Sequence, residues 1–208
     1  MAFQEQHQQQ LPLWMFAHVQ SIYDPPGDGN CGYHCLAHAL AQEPQYDAYQ
    51  VQGWYKVRCD LLKEMETNKP VWTRRFGGTQ AYNNVYKRIH VNKPKPGDDR
   101  VSKNHWLSRL DEGALAANAY NRPIVCLQNK NNVTFLPVTK PPGERPKDPI
   151  YLLYSDPDHW VLVNVKRGIT PFPPPVVPRL YSSSPAGDWL VKIESSVALF
   201  RDLATHQG

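Results

Sequence analysis

The stretch that most confines this chain is Tyr23-Asp24-Pro25-Pro26-Gly27-Asp28-Gly29-Asn30. Two successive prolines fix φ at about −65°, and the glycines that follow permit a tight turn. Directly after it, Cys31, Cys35, Leu36, Ala39 and Leu40 recur at helical spacing, so a helix is predicted to start at or just before Cys31. The thiol then sits in a first helical turn, where free backbone N–H groups and the positive end of the helix dipole favour negative charge. A thiol attacks as its thiolate. Gly29 can take a positive φ, so Asp28-Gly29-Asn30 and the Cys31 N–H can form an oxyanion loop. On residue statistics Cys31 would be a small core hydrophobe; the glycine-rich turn running into a helix favours a nucleophile instead.

The rest of the chain reads as helices followed by short strands. Tyr55 to Glu66 carries Val57, Leu61, Leu62 and Met65 on one face, Thr79 to Ile89 is a third helix, and Trp106 to Tyr120 a fourth. Asn121-Arg122-Pro123 closes the last. Ile124 to Gln128, Val133 to Val138, Ile150 to Tyr154 and Trp160 to Val165 are strand candidates, and Leu11 to Ile22 is a short helix or strand. This order predicts an α/β (α+β) domain, with helices around a small central mixed sheet, over residues 11–167. Residues 1–10, rich in glutamine, are expected to be disordered. Residues 168–187 form a Pro/Ser-rich linker, with five prolines between Thr170 and Pro178. Residues 188–208 form a C-terminal helix and tail, capped by Asp188, with Trp189, Ile193, Val197, Phe200 and Leu203 on one stripe. This tail is expected to be dispensable for folding.

Several classes are disfavoured. The 208 residues carry a formal net charge of +4, with lysines and arginines scattered rather than striped, so nucleic acid is not an expected partner. No stretch reaches the ~18 apolar residues that span a bilayer, and the polar start lacks the parts of a signal peptide, so a cytoplasmic location is expected. Cys31, Cys35, Cys59 and Cys126 show neither paired CxxC nor zinc spacing, so no disulfide framework, metal or cofactor is expected.

Three blocks carry a family likeness. Pro26-Gly27-Asp28-Gly29-Asn30-Cys31 resembles the nucleophile motif of ovarian-tumour (OTU) deubiquitinases. Trp106, Leu110-Asp111-Glu112, Leu115-Ala116 and Ile124-Val125-Cys126-Leu127 resemble the family's Trp–acid–helix–strand segment. Asp158-His159-Trp160-Val161-Leu162-Val163 resembles its closing strand, where the catalytic histidine precedes an aromatic residue. The blocks come in family order over residues 22 to 165. The first also resembles the viral OTU-like papain-like proteases of arteriviruses, which use an Asn where this chain has Asp24. Those enzymes carry a zinc finger for which this chain lacks the cysteines.

The resemblance implies a thiol-dependent protease of the ubiquitin system. Cys31 would be its nucleophile, His159 its general base, and Trp160 a wall of the substrate cleft. Many OTU enzymes place Asp or Asn two residues after the histidine. Here that position is Val161, which cannot orient an imidazole; this leaves either a Cys–His dyad or an acid from elsewhere, for which Asp24 is the better candidate, its alternative role being to start the turn. His34 and His38 ride the Cys31 helix and are read as structural or surface groups. Trp72 to Tyr86 either contacts ubiquitin or packs in the core. The implied partners are ubiquitin, ubiquitin-like modifiers and polyubiquitin. Two alternatives stay open: processing of the chain's own viral polyprotein by the same Cys–His site, and a catalytically silent ubiquitin-binding module.

Overall fold

The structure, a computed structural model, describes residues 7, 9–93, 97, 99–128, 132–155, 158–166 and 184–205. Helices α1 (Cys31–Ala41), α2 (Gly53–Thr67), α3 (Lys69–Phe76), α4 (Thr79–Ile89) and α5 (Arg109–Tyr120) precede most of the sheet. Its strands are β1 (Val19–Tyr23), β2 (Ile124–Leu127), β3 (Val133–Phe135), β4 (Ile150–Ser155) and β5 (His159–Val165). Helices α6 (Ser184–Lys192) and α7 (Glu194–Thr205) close the described chain. The expected mixed α/β architecture is present. Several elements differ from expectation. Helix α3 was not anticipated; its Pro70 occupies the first turn, where a proline lacks no bond the helix would make. Trp106 lies outside α5, which starts after the cap position Ser108.

The sheet order is β1-β5-β4-β2-β3, parallel only between β2 and β4. It is covered on both faces, which is why β2 is buried at every residue and reads as a continuous apolar run. Trp160 and Leu162 of β5, with Leu152, Ile124 and Cys126, pack against Leu36, Leu40, Leu61 and Leu115 of the helices. Val161 and Val163, with Val125, Tyr151 and Leu153, pack under Leu11, Trp14 and Met15. The segment before β1 is therefore the second cover of the sheet. A 3-10 helix, Leu13–His18, leads it into β1.

At the chain ends, residues 1–6 and 8 lie outside the described residues. His7 does not fit the expected disorder of residues 1–10: it is buried and hydrogen-bonded. The proposed linker lies outside the described residues up to residue 183, as does the Leu203 side chain. The helix expected from Asp188 starts earlier, at Ser184, and breaks at Ile193 into α6 and α7, with Asp188 inside α6. Trp189 is buried against Leu136 and Ile193, and its indole N–H donates to the Lys140 carbonyl at 3.0 Å. Phe200 meets the Trp14 ring edge-on at 5.3 Å. These contacts place α6 and α7 on the domain, so Trp189→Ala should destabilise the full chain by about 3–5 kcal/mol in chemical denaturation. A midpoint unchanged from the parent would show that the tail adds nothing to the fold.

Candidate active site

Cys31 is the first residue of α1, and the helix's first turn closes through His34 N–H to the Asn30 carbonyl at 2.8 Å. The preceding loop is braced at Asp28, Gly29 and Asn30. Asp28 accepts the Asn30 N–H at 2.7 Å through one carboxylate oxygen and faces His34 Nε2 at 2.9 Å through the other. Its carboxyl is held below the ordinary value: burial raises it, and the bonds from His34 and Asn30 outweigh that. The Asp28 carbonyl accepts the Val101 N–H. Gly29 has φ +89°, and a Cβ there would stand 2.6 Å from the Val101 carbonyl and 2.7 Å from Trp106 Nε1. At Gly32 a Cβ would stand 2.9 Å from the Leu107 side chain. His34 is thus a structural partner of the loop, and His38 stacks on Tyr23 at 3.8 Å.

Asn30 departs from its expected part in the oxyanion loop. Its N–H is already donated to Asp28, and its side chain turns fully inward. There Nδ2 donates to the Asp99 carbonyl at 2.7 Å, and Oδ1 accepts two bonds from Arg58, at 3.1 and 2.8 Å. Arg58 is itself buried. It donates to the carbonyls of Arg88, Ile89 and His105 and lies over the Tyr33 ring at 3.7 Å. Helix geometry leaves the N–H groups of the first turn of α1, beginning with Cys31, without intrahelical partners and close in sequence to the thiol.

His159 opens β5, paired with Ser155 across the β4–β5 hairpin. Asp158 before it takes φ +54°, a conformation aspartate tolerates, and accepts bonds from Tyr154 Oη and Lys103 Nζ, each at 2.6 Å. His159 Nε2 lies 2.7 Å from Asp24 Oδ1, in the segment leaving β1. The Cys31 side chain stands near enough to the imidazole to shift its pKa. With Nε2 turned to the carboxylate, Nδ1 is the nitrogen left for sulfur. The structure therefore brings together Cys31, His159 and Asp24, separated in sequence but adjacent at one end of the sheet. The neighbouring Cys31 thiol is the first cause that raises the His159 pKa above its ordinary value; burial opposes it and Asp24 adds to it.

Trp160 does not wall an open cleft. It is 3% exposed, donates to the Leu107 carbonyl at 3.3 Å and meets Tyr154 edge-on. Strand alternation sends it to the helix-covered face, away from His159. Trp72 and Tyr82 are likewise core residues. The other cysteines are placed differently from Cys31. Burial raises the Cys35 thiol and pushes Cys126 up to about 12, whereas Cys59 is exposed on α2. The sequence reading missed His7, whose Nε2 lies 3.4 Å from Asp24 Oδ2, and Arg58.

No protein-family profile and no curated protein matches the chain. Viral OTU proteases of solved structure are similar to it. One is the viral OTU domain protease from Dera Ghazi Khan virus, at 12% identity over 73% of this chain and 83% of that one, TM-score 0.47. Another is the Hazara virus OTU bound to ubiquitin, at 16% identity over 73% of this chain and 84% of that one, TM-score 0.42. Among the described residues no helix is long and apolar enough to cross a membrane.

Two predictions follow from the geometry. Gly29→Ala should cost about 1–3 kcal/mol for its left-handed φ alone, and more from the collision with Val101 and Trp106; equilibrium unfolding measures it. In an NMR titration the His159 ring should protonate with a midpoint above 6.5 and fall back towards it in Cys31→Ala. A folded value raised above the unfolded one stabilises fully below about pH 6.5, and that stabilisation is lost as pH rises through the folded value. A midpoint below 6.5 in the parent would show that burial outweighs the two partners.

Proposed function

We propose that this chain is a cysteine-dependent hydrolase that cleaves isopeptide or peptide bonds after the C-terminal glycine of ubiquitin or a ubiquitin-like modifier. One observation carries the chemistry: the His159 imidazole meets the Asp24 carboxylate at 2.7 Å and has the Cys31 thiol, at a helix start, as a neighbour that raises its pKa. The substrate class rests on the likeness of the three sequence blocks to OTU deubiquitinases.

In this mechanism His159 takes the thiol proton and the Cys31 sulfur attacks the glycine carbonyl carbon. The oxygen of the tetrahedral intermediate gains negative charge beside the N–H groups of the first turn of α1. His159, now an imidazolium, gives its proton to the departing lysine amine, leaving a thioester on Cys31. It then takes a proton from water as the water attacks the thioester; the carboxylate of the modifier leaves and the thiol is restored. Asp24 holds the ring with one nitrogen towards sulfur and stabilises the imidazolium. Val161, two residues beyond the histidine, is fully buried and leaves that task to Asp24.

A panel of diubiquitins tests the proposal. His159→Ala should lower turnover by at least ~10²-fold, the usual contribution of a general base, with ubiquitin affinity nearly unchanged. Asp24→Ala should slow turnover, and Asp24→Asn less so, because an amide oxygen still accepts the ring N–H. Parent-level turnover in His159→Ala would remove the Cys–His assignment.

A further inference from the structure

We propose that His7 is a positioning residue for Asp24, so that the segment N-terminal to the sheet completes the active site. This rests on the reading of Cys31, His159 and Asp24 as the reacting group. The Asp24 side chain is 41% exposed. Pro25 and Pro26 fix the backbone after it but not its own torsions, and a half-hydrated carboxylate held at one oxygen can turn away from its partner. In this fold both oxygens are engaged: Oδ1 faces His159 Nε2 at 2.7 Å and Oδ2 faces His7 Nε2 at 3.4 Å. The two imidazoles flank the carboxylate with ring centroids 6.2 Å apart.

His7 is itself anchored. Its Nδ1 lies 2.8 Å from the hydroxyl of Ser155, which is fully buried and is the cross-strand partner of His159. Donors and acceptors then balance in only one way with a neutral ring. A carboxylate only accepts, so His7 Nε2 carries the hydrogen and Nδ1 accepts from the Ser155 hydroxyl. One hairpin end thus fixes His159 directly and Asp24 indirectly, through Ser155 and His7. The position two after His159 holds a buried valine, so no local group orients the ring. The orienting group comes instead from the exit of β1 and carries a second support.

The test uses the full chain and two side chains that each replace half of the imidazole. Gln places an amide nitrogen where Nε2 stands and keeps the bond to Asp24. Asn places its amide where Nδ1 stands and keeps only the bond to Ser155. His7→Asn should lower kcat on diubiquitin about tenfold, the scale of one hydrogen bond to a charged group, with KM within about twofold. His7→Gln should recover most of the loss. In an Asp24→Ala background His7→Asn should have no further effect, because residues acting through one another are non-additive. Alkylation of Cys31 by iodoacetamide at neutral pH, which needs no ubiquitin, should show the same pattern across these variants. Preserved non-additivity in alkylation with no turnover of any diubiquitin would sustain the role of His7 while removing ubiquitin as substrate. Parent-level kcat and alkylation in His7→Asn, or equal losses in the parent and Asp24→Ala backgrounds, would overturn it.

Discussion

The site depends on the buried guanidinium of Arg58. Its charge has been taken out of water, which is costly unless every donor is used. Here it reaches Asn30 twice and the carbonyls of Arg88, Ile89 and His105, with the Tyr33 ring against its face. Asn30 is the residue immediately before Cys31. The end of α4, the turn at His105 and the loop before Cys31 are thus tied to α2 through one side chain. A loop containing two glycines would otherwise be free; this one is held from beneath by Arg58, from the side by Asp28, and from above by Val101 and Trp106.

The second half of the site comes from the opposite side of the molecule. β5 sits between β1 and β4, so its first residue, His159, lies beside the exit of β1, where Asp24 is, and across from the end of β4, where Ser155 is. The helix layer brings Cys31 to the same end of the sheet. Any disturbance of the cover formed by Leu11, Trp14 and Met15 would be felt at His159 through strand position. α7 reinforces that cover, since Phe200 packs on Trp14.

Much of this was legible in the sequence where the signal is local. The turn before Cys31 announces a helix start because proline and glycine act on their own backbone. The strands from β2 onward are visible as short apolar runs, whereas β1, Val19–Tyr23, with two exposed polar residues, is not. Asp24 emerged because Val161 cannot orient an imidazole, and its 2.7 Å approach to His159 fits that reasoning. What failed is non-local. An arginine on an amphipathic helix reads as a solvated face, and nothing near Arg58 tells that five bonds await it. His7 lies in a polar, glutamine-rich stretch, and its anchor is 148 residues away. Trp160 looked like a cleft wall because a strand buried on both faces has the same sequence pattern whichever residues flank the site. Asn30 looked like an oxyanion donor because loop membership does not reveal which way an amide turns.

The central claim is that one thiol of four, Cys31, is the nucleophile of a ubiquitin-directed hydrolase. Incubation of the full chain with ubiquitin bearing a C-terminal electrophile, followed by peptide mass spectrometry of the adduct, tests it most directly. A single adduct on Cys31, absent in Cys31→Ala although that variant remains folded, is the result predicted. An adduct on Cys35, Cys59 or Cys126, or no adduct on a folded parent chain, would contradict it.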